Sequence, residues 1–431
     1  MTIDLKKSNL ALNGGRKIRT KPWKDNFTIG PEEKNAAMRV FDSGYLSLFE
    51  GSHTPDYPFS FEGGPEVESL EKEWSDYYEI KHSISMNSAT SGLYAAIGAL
   101  GIGFGDEVIV SPYTMTACAM APMIYGAIPV FADIELQTGC LDPISIEKNI
   151  TKNTKAILVV HQFGFPADMK RILKIAKKFN LFVIEDCAQA HGAKIDGDYV
   201  GTFGDIGVFS MNVNKTIQSG EGCICVTNDD EMCYRLQLIR NHGEAVVGPA
   251  GYENITNIAG FNYRLSELHA AVIREQLKKL DELNNTRLQL VKELASELDR
   301  FNFITLLGCR DADESTYYLF PFRYNQEITS ISRENFINAV NAEGIQFYQG
   351  YTKPLYLQPV YQKKHLFKNG YPFAAEINQK CKMEYAEGLC PNAERLYFKE
   401  IVINEHIRHP HTTNDIKDII ISLKKVCGLI K

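Results

Sequence analysis

Between residues 66 and 228 the chain alternates between two hydrophobic periods. Short runs of aliphatic and β-branched residues stand at Ser83–Met86, Val108–Val110, Ile128–Phe131, Ala156–Val160, Leu181–Ile184 and Cys223–Val226, and the stretches between them place apolar residues at helical spacing. Strands alternating with helices predict βαβ units and a mostly parallel sheet with helices on both faces. In such sheets ligands bind beyond the carboxyl ends of the strands. The residues that follow each run are therefore where chemistry is expected.

Further along, Leu265, Leu268, Ala271, Val272, Leu277, Leu280 and Leu283 recur at nearly helical spacing among many charges. They predict one long helix from Leu265 to about Arg300, bridging two domains. A strand at Tyr317–Arg323, a helix at Arg333–Glu343, an aromatic-rich loop region and a terminal helix from Asn414 to Lys431 then predict a smaller α+β unit. The expected organisation is an N-terminal arm and helix over 1–65, a large α/β domain over 66–264, the interdomain helix over 265–300 and a small C-terminal domain over 301–431.

Composition narrows the function classes. With 46 Lys plus Arg against 53 Asp plus Glu, the net charge of −7 gives nothing for a polyanion to bind, so nucleic acid and anionic membrane are not expected partners. Ten Cys occur without a single Cys-x-x-Cys spacing. They read as reduced, mostly buried thiols. The first residues carry no apolar signal segment, and the longest oily stretch, Thr116 to Ala132, is broken by Pro122, Gly126 and Pro129. Neither a signal peptide nor a membrane span is expected, and the expected compartment is the cytoplasm.

Three motifs carry candidate chemistry. Asn87-Ser-Ala-Thr-Ser-Gly92 is a small-residue turn between a strand and a helix, able either to cap that helix or to bind an anion at its N-terminus. Asp186 emerges directly after Val183-Ile-Glu185, where a carboxylate either caps the next helix or holds a cationic nitrogen. Lys215 lies among small and uncharged residues in the loop running from Gly207 to Gly222, as a solvated surface charge or as an amine able to attack a carbonyl. The glycine-rich Gly101–Asp106 follows a helix and precedes a strand, the wrong context for a dinucleotide loop, and reads as a turn. Taken together, an anion cradle, an acid for a ring nitrogen and an aldehyde-capturing amine are the components that pyridoxal phosphate needs.

These residues also carry a resemblance. Gly105-Asp-Glu-Val-Ile, Gly126 to Asp133, Val160-His161 with Gly164, Glu185-Asp186 with Ala188-Gln-Ala-His-Gly192, Phe209-Ser210, Lys215, Gly220-Glu-Gly222, Arg240-Asn-His-Gly243 and Phe261-Asn-Tyr-Arg264 span nearly the whole chain. In them the sequence resembles the pyridoxal-phosphate-dependent sugar aminotransferases of the DegT/DnrJ/EryC1/StrS group. The resemblance implies the fold-type I aspartate aminotransferase architecture, a mostly parallel central sheet with helices on both faces plus a smaller C-terminal α+β domain. It implies that Lys215 forms the internal aldimine and shuttles the proton, and that Asp186 pairs with the pyridine nitrogen. Ala89 and Thr90, helped by Ser210, would bind the phosphate, and Gln189 would contact the hydroxyl side of the ring. Asn262 would reach the phosphate of the neighbouring subunit in a homodimer with a shared active site. No metal site is implied.

Two positions depart from the family pattern. Ala89 stands where Gly is usual, and Met115 where an aromatic residue usually stacks on the ring; a thioether also packs on aromatic faces. The implied reaction moves an amino group from L-glutamate or glutamine to a keto sugar. Leu10 to Arg19 and Cys390-Pro-Asn-Ala-Glu394 are similar to the branch acting on scyllo-inosose and aminohydroxybenzoate precursors, so the acceptor is a nucleotide-linked keto sugar, a free cyclitol or an acid sugar of the Kdo type. A dehydratase on a similar keto sugar is the alternative reading, against which Lys215 speaks, because the dehydratases of this family carry His there. Phe347 to Tyr351 with Tyr356 and Tyr361 either line the acceptor pocket or pack the small domain.

Overall fold

The computed structural model describes residues 9–51, 56–308 and 315–428. In chain order the elements are α1 (Pro31–Ser43), α2 (Pro65–Tyr78), β1 (His82–Met86), α3 (Ala89–Ala99), β2 (Glu107–Val110), α4 (Ala117–Ile124), β3 (Ile128–Phe131), α5 (Pro143–Asn149), β4 (Thr154–Val160), α6 (Met169–Phe179) and β5 (Phe182–Asp186). A short hairpin of β6 (Lys194–Ile195) and β7 (Asp198–Tyr199) precedes β8 (Ile206–Ser210), β9 (Cys223–Thr227), α7 (Asp230–Arg240) and α8 (Val247–Ala250). The remainder comprises α9 (Glu267–Leu277), α10 (Leu280–Leu298), β10 (Ile304–Leu306), β11 (Phe320–Tyr324), α11 (Gln326–Thr329), α12 (Arg333–Ala342), β12 (Tyr348–Gln349), α13 (Pro359–Gln362), α14 (Pro391–Arg395), β13 (Ile401–Asn404) and α15 (Thr413–Cys427).

The large sheet has the order β1-β9-β8-β5-β4-β2-β3. Strands β8, β5, β4, β2 and β3 run parallel, and β9 is antiparallel to both β1 and β8. Every residue of β2, β3, β8 and β9 is buried, the signature of a sheet covered by helices on both faces. Helix α6 shows how the cover is specified: Met169, Ile172, Ile175 and Ala176 face the core, the Asp168 side chain caps the Arg171 N–H, and Lys177 and Lys178 sit in the last turn where the helix dipole favours cations. Helix α3 is buried over most of its circumference, and Gly92 lets it approach β9 closely. A Cβ there would stand 2.7 Å from Cys223 Sγ and 3.0 Å from Cys225 Sγ.

A second, antiparallel sheet of order β10-β11-β13-β12 packs with α10, α12 and α15 around Leu294, Phe320, Phe322, Tyr324, Phe336 and Ile419. The N-terminal arm ties the units together. Arg19 pairs with Asp415 and Asp418 at 2.9 Å, and the Trp23 indole donates to Gly344 O.

Three expectations change. The single helix expected over 265–300 is two, α9 and α10, with a break at Lys278–Lys279. There the Lys279 N–H bonds Gln276 O, three residues back rather than four. Side chains on both sides of the break are anchored to the arm: Lys279 Nζ to Glu33 at 2.7 Å, and Gln276 to Thr28 and Glu33. Strand β8, expected as part of a loop, pairs with both β5 and β9. Finally, Leu355, Tyr356, Tyr361, Phe373, Tyr385 and Leu396 join the core of the large sheet rather than that of the small one. The last residues of the expected terminal helix, 429–431, and Cys309 lie outside the described residues.

Candidate active site

Since β1 is antiparallel to β9, and β9 to β8, strand β1 points the same way as the parallel set. Met86, Val110, Val160, Asp186 and Ser210 therefore end at one edge of the sheet. The segments leaving that edge carry the residues singled out in the sequence.

Helix α3 begins there. Ser88 Oγ accepts the Ser91 N–H at 3.1 Å, and Ser88 O accepts that of Gly92. Among the described residues, the N–H groups of Ala89 and Thr90 find no acceptor. Two free donors on the first turn of an eleven-residue helix are able to hold an anion. Ser210 closes β8; its Oγ accepts the Asn212 N–H at 3.3 Å and keeps its own proton to donate.

Asp186, the last residue of β5, is only 6% exposed. Its carboxylate accepts from Cys118 Sγ and from the Ala188 N–H, both at 3.0 Å. Among the described residues no Lys, Arg or His pairs with it. Burial first, then the Asp186 charge, push the Cys118 thiol up, so it stays a donor. A buried carboxylate without a cation is costly, and a cationic nitrogen placed beside it would offset that cost.

Lys215 lies in the turn between β8 and β9. Its N–H bonds Asn212 O at 2.9 Å, and its carbonyl accepts from Asn26 Nδ2 of the arm at 2.9 Å. Its Nζ lies 4.8 Å from the centroid of the Tyr318 ring, with no carboxylate paired to it among the described residues. His191, fully buried nearby, is pushed down to about 3, by burial first and then by the Lys215 charge, and is neutral.

Gln189 is fixed at both ends: Oε1 accepts the Phe163 N–H and Nε2 donates to Tyr351 Oη, each at 2.8 Å. Burial pushes the Tyr351 hydroxyl up, keeping it protonated. The structure thus gathers Ala89, Thr90, Asp186, Gln189, Ser210 and Lys215 on one edge. Met115, in the segment after β2, is 53% exposed. Asn262 is exposed too; its Oδ1 accepts from Arg264 and its carbonyl from Asn87 Nδ2. Of the aromatic residues left open in the sequence, Tyr356 and Tyr361 pack on Phe131 in the core, and Tyr351 reaches the site.

Beside Asp186, the buried His161, Glu185 and Cys187 form the one cluster of potential metal ligands among the described residues. Its capacity is already used. Glu185 accepts from His161 Nε2 at 3.0 Å and from the N–H groups of Gly201, Phe203 and Gly204 at 2.6–2.8 Å. His161 Nδ1 accepts the Ala167 N–H. This is a hydrogen-bonded knot that holds the end of β5.

Sequence reasoning passed over Tyr318 and two arginines, Arg287 and Arg408. A signal existed for Arg287, which occupies the apolar stripe of α10 with Leu283, Leu290 and Leu294. A charge on a buried stripe calls for a reason.

This fold and site define a pyridoxal-phosphate-dependent aminotransferase. An aminotransferase from Psychrobacter cryohalolentis superposes with a TM-score of 0.78 at 27% identity, covering 95% of this chain and 99% of that one. The model of the DegT/DnrJ/EryC1/StrS aminotransferase family matches residues 59–393, and the chain belongs to that family. The chain is similar to the L-glutamine:2-deoxy-scyllo-inosose aminotransferase of Streptomyces kanamyceticus, 31% identical over 98% of each chain. It is also similar to the dTDP-3-amino-3,4,6-trideoxy-alpha-D-glucose transaminase of Streptomyces venezuelae, 35% identical over 77% of this chain and 80% of that one. The residues fit the cofactor: free helix N–H groups suit its phosphate, an unpaired buried carboxylate its ring nitrogen and an unpaired amine its aldehyde. No helix among the described residues is long and apolar enough to cross a membrane.

Proposed function

We propose that this enzyme transfers the amino group of L-glutamine or L-glutamate to the keto group of a sugar or cyclitol ring. The observation that carries the reading is the buried, cation-free carboxylate of Asp186 on the same sheet edge as the amine of Lys215 and the open N-terminus of α3. Pyridoxal phosphate, when bound, supplies an aldehyde that exchanges amino groups and a ring that accepts electrons from the reacting carbon.

The chain does the rest. The N–H groups of Ala89 and Thr90 and the Ser210 hydroxyl hold the phosphate. Asp186 keeps the ring nitrogen protonated, its position fixed by Cys118 and Ala188. Lys215 Nζ would hold the aldehyde of the cofactor, and as a free amine it would take the proton from the donor carbon and give one to the acceptor carbon. Neutral His191 places no competing charge beside that amine. Gln189 would contact the hydroxyl side of the cofactor ring, and the thioether of Met115 would pack on its face.

The enzyme acts as a homodimer in which Asn262 of each protomer completes the partner's phosphate site. In support, Phe27, Met38, Phe41, Tyr45, Leu46 and Tyr57 are exposed large apolar residues of the N-terminal region, Tyr57 at 97% and Phe27 at 70%. No disulfide joins two of the described cysteines, which suits a reducing compartment, and we assign the enzyme to the cytoplasm.

Borohydride reduction of the holoenzyme followed by peptide mapping tests the reading. The cofactor is expected on the peptide containing Lys215. Its attachment to another lysine, or failure of the protein to take up pyridoxal phosphate at all, overturns it. Incubation with L-glutamine and a panel of keto sugars and keto cyclitols then identifies the acceptor by its amino product.

A further inference from the structure

Two buried guanidinium groups near the reaction centre have no carboxylate partner among the described residues. Arg287, on α10, is 3% exposed; its Nη1 donates to Thr216 Oγ1 at 2.9 Å and reaches Thr316 O at 3.5 Å, and its Nε is buried without an acceptor. Arg408, in the segment between β13 and α15, is 9% exposed; its side chain makes no hydrogen bond or ion pair among the described residues, and its Nε too is buried and unpartnered. The Thr316 hydroxyl is a third buried polar group with no partner.

Both arginines are tied to the neighbourhood of Lys215 through Thr216 and Tyr318. Thr216, which receives the Arg287 bond, is the next residue in the chain. Tyr318, whose ring lies 4.8 Å from Lys215 Nζ, interacts electrostatically with both arginines. Burial, and next the neighbouring charge of Arg408, push Arg287 down to about 9. The carboxylates that act on Arg408, Glu405 and Asp25, stand beyond ion-pair distance. Two like charges held together out of water, each short of acceptors, are arranged for an anion that arrives from outside.

We propose that Arg287 and Arg408 form a carboxylate-binding subsite beside Lys215. The planar fork of a guanidinium matches a carboxylate through paired N–H donors, and the phosphate of the cofactor already has its own cradle at α3. The inference rests on the reading of Lys215 as the reacting amine. The carboxylate has two sources, the amino donor or an acidic group on the acceptor ring.

Succinate serves as the probe. Calorimetric titration of the holoenzyme is expected to show binding that weakens about tenfold or more in Arg408→Gln and partly returns in Arg408→Lys, with Arg287→Lys as a second variant that keeps the buried charge. Identical titrations of the wild type and Arg408→Gln, or no succinate binding by the wild type, overturn the subsite. The donor half-reaction separates the sources. If Arg408→Gln raises the half-saturating L-glutamine concentration about tenfold at little-changed limiting rate, the donor supplies the carboxylate. If succinate binding is lost and the L-glutamine curve is unchanged, the acceptor does. A wild-type protein in which no cofactor is attached to Lys215 refutes the proposed function instead, and the succinate titration reads independently of that.

Discussion

Replacing Glu185 with Gln exchanges one carboxylate oxygen for an NH2 group where every neighbour is a donor. In the structure Oε1 accepts the N–H groups of Phe203 and Gly204, and Oε2 accepts that of Gly201 and His161 Nε2. A Gln oxygen serves one of these pairs, and the amide NH2 then confronts the other. Rotation of the His161 ring offers no escape, because His161 Nδ1 is already committed to the Ala167 N–H. Two donors are left without acceptors, either the buried Gly201 N–H and His161 Nε2 or the part-buried N–H groups of Phe203 and Gly204, each costing about 1–3 kcal/mol, so the variant loses about 4 kcal/mol in total. For 431 residues unfolding as one unit, that corresponds to a fall in Tm of about 4–5 °C. Differential scanning calorimetry of the holoenzymes measures it. A Tm within about 1 °C of the wild type refutes the claim that Glu185 is a saturated acceptor holding the end of β5.

Other consequences are as direct. Lys215→Ala is expected to abolish steady-state transamination while the protein still folds; measurable turnover in a coupled assay with L-glutamine contradicts the role given to its amine. Gly92→Ala places a methyl group about 2.7 Å from Cys223 Sγ, and should lower stability by about 1–3 kcal/mol in urea unfolding and speed cofactor loss by shifting the start of α3. Stability should also depend on acid. His191 takes up a proton at about 3 in the folded chain against 6.5 ordinarily, so between these values the unfolded chain binds more protons. Its contribution is complete above about pH 6.5 and is lost toward pH 3, at up to about 1.4 kcal/mol per pH unit. His191→Phe should flatten that slope, leaving the part due to the other histidines that burial pushes down, His406 to about 4 together with His269 and His411; an unchanged slope counts against a buried, neutral His191.

The sequence showed the parallel strands clearly because each is buried on both faces and so reads as an unbroken aliphatic run, as Val108–Val110 and Ala156–Val160 do. Strand β8 is parallel and just as buried, yet it escaped. Gly207 and Ser210 dilute its run, and the Lys215 turn that follows made the whole stretch look like one loop. The division between α9 and α10 was invisible to periodicity, since no Pro or Gly marks it and the anchors come from Thr28 and Glu33, far back in the chain. The common edge of Asp186 and the α3 turn followed from the rule for parallel sheets, whereas Ser210 joined them only through the resemblance. The pairing of Arg287 with Arg408 did not, because it joins a helix stripe to a segment beyond the small sheet, and neither motif suggests the other. The aromatic run divided: Tyr356 and Tyr361 are core, and Tyr351 touches Gln189.

The visible spectrum of the purified holoenzyme, recorded before and after addition of L-glutamine or L-glutamate, tests the central claim most directly. The account predicts an absorbance band from cofactor joined to Lys215 that one of these donors bleaches and a keto acceptor restores. A band that persists with every amino donor contradicts it and favours a lyase on the same scaffold.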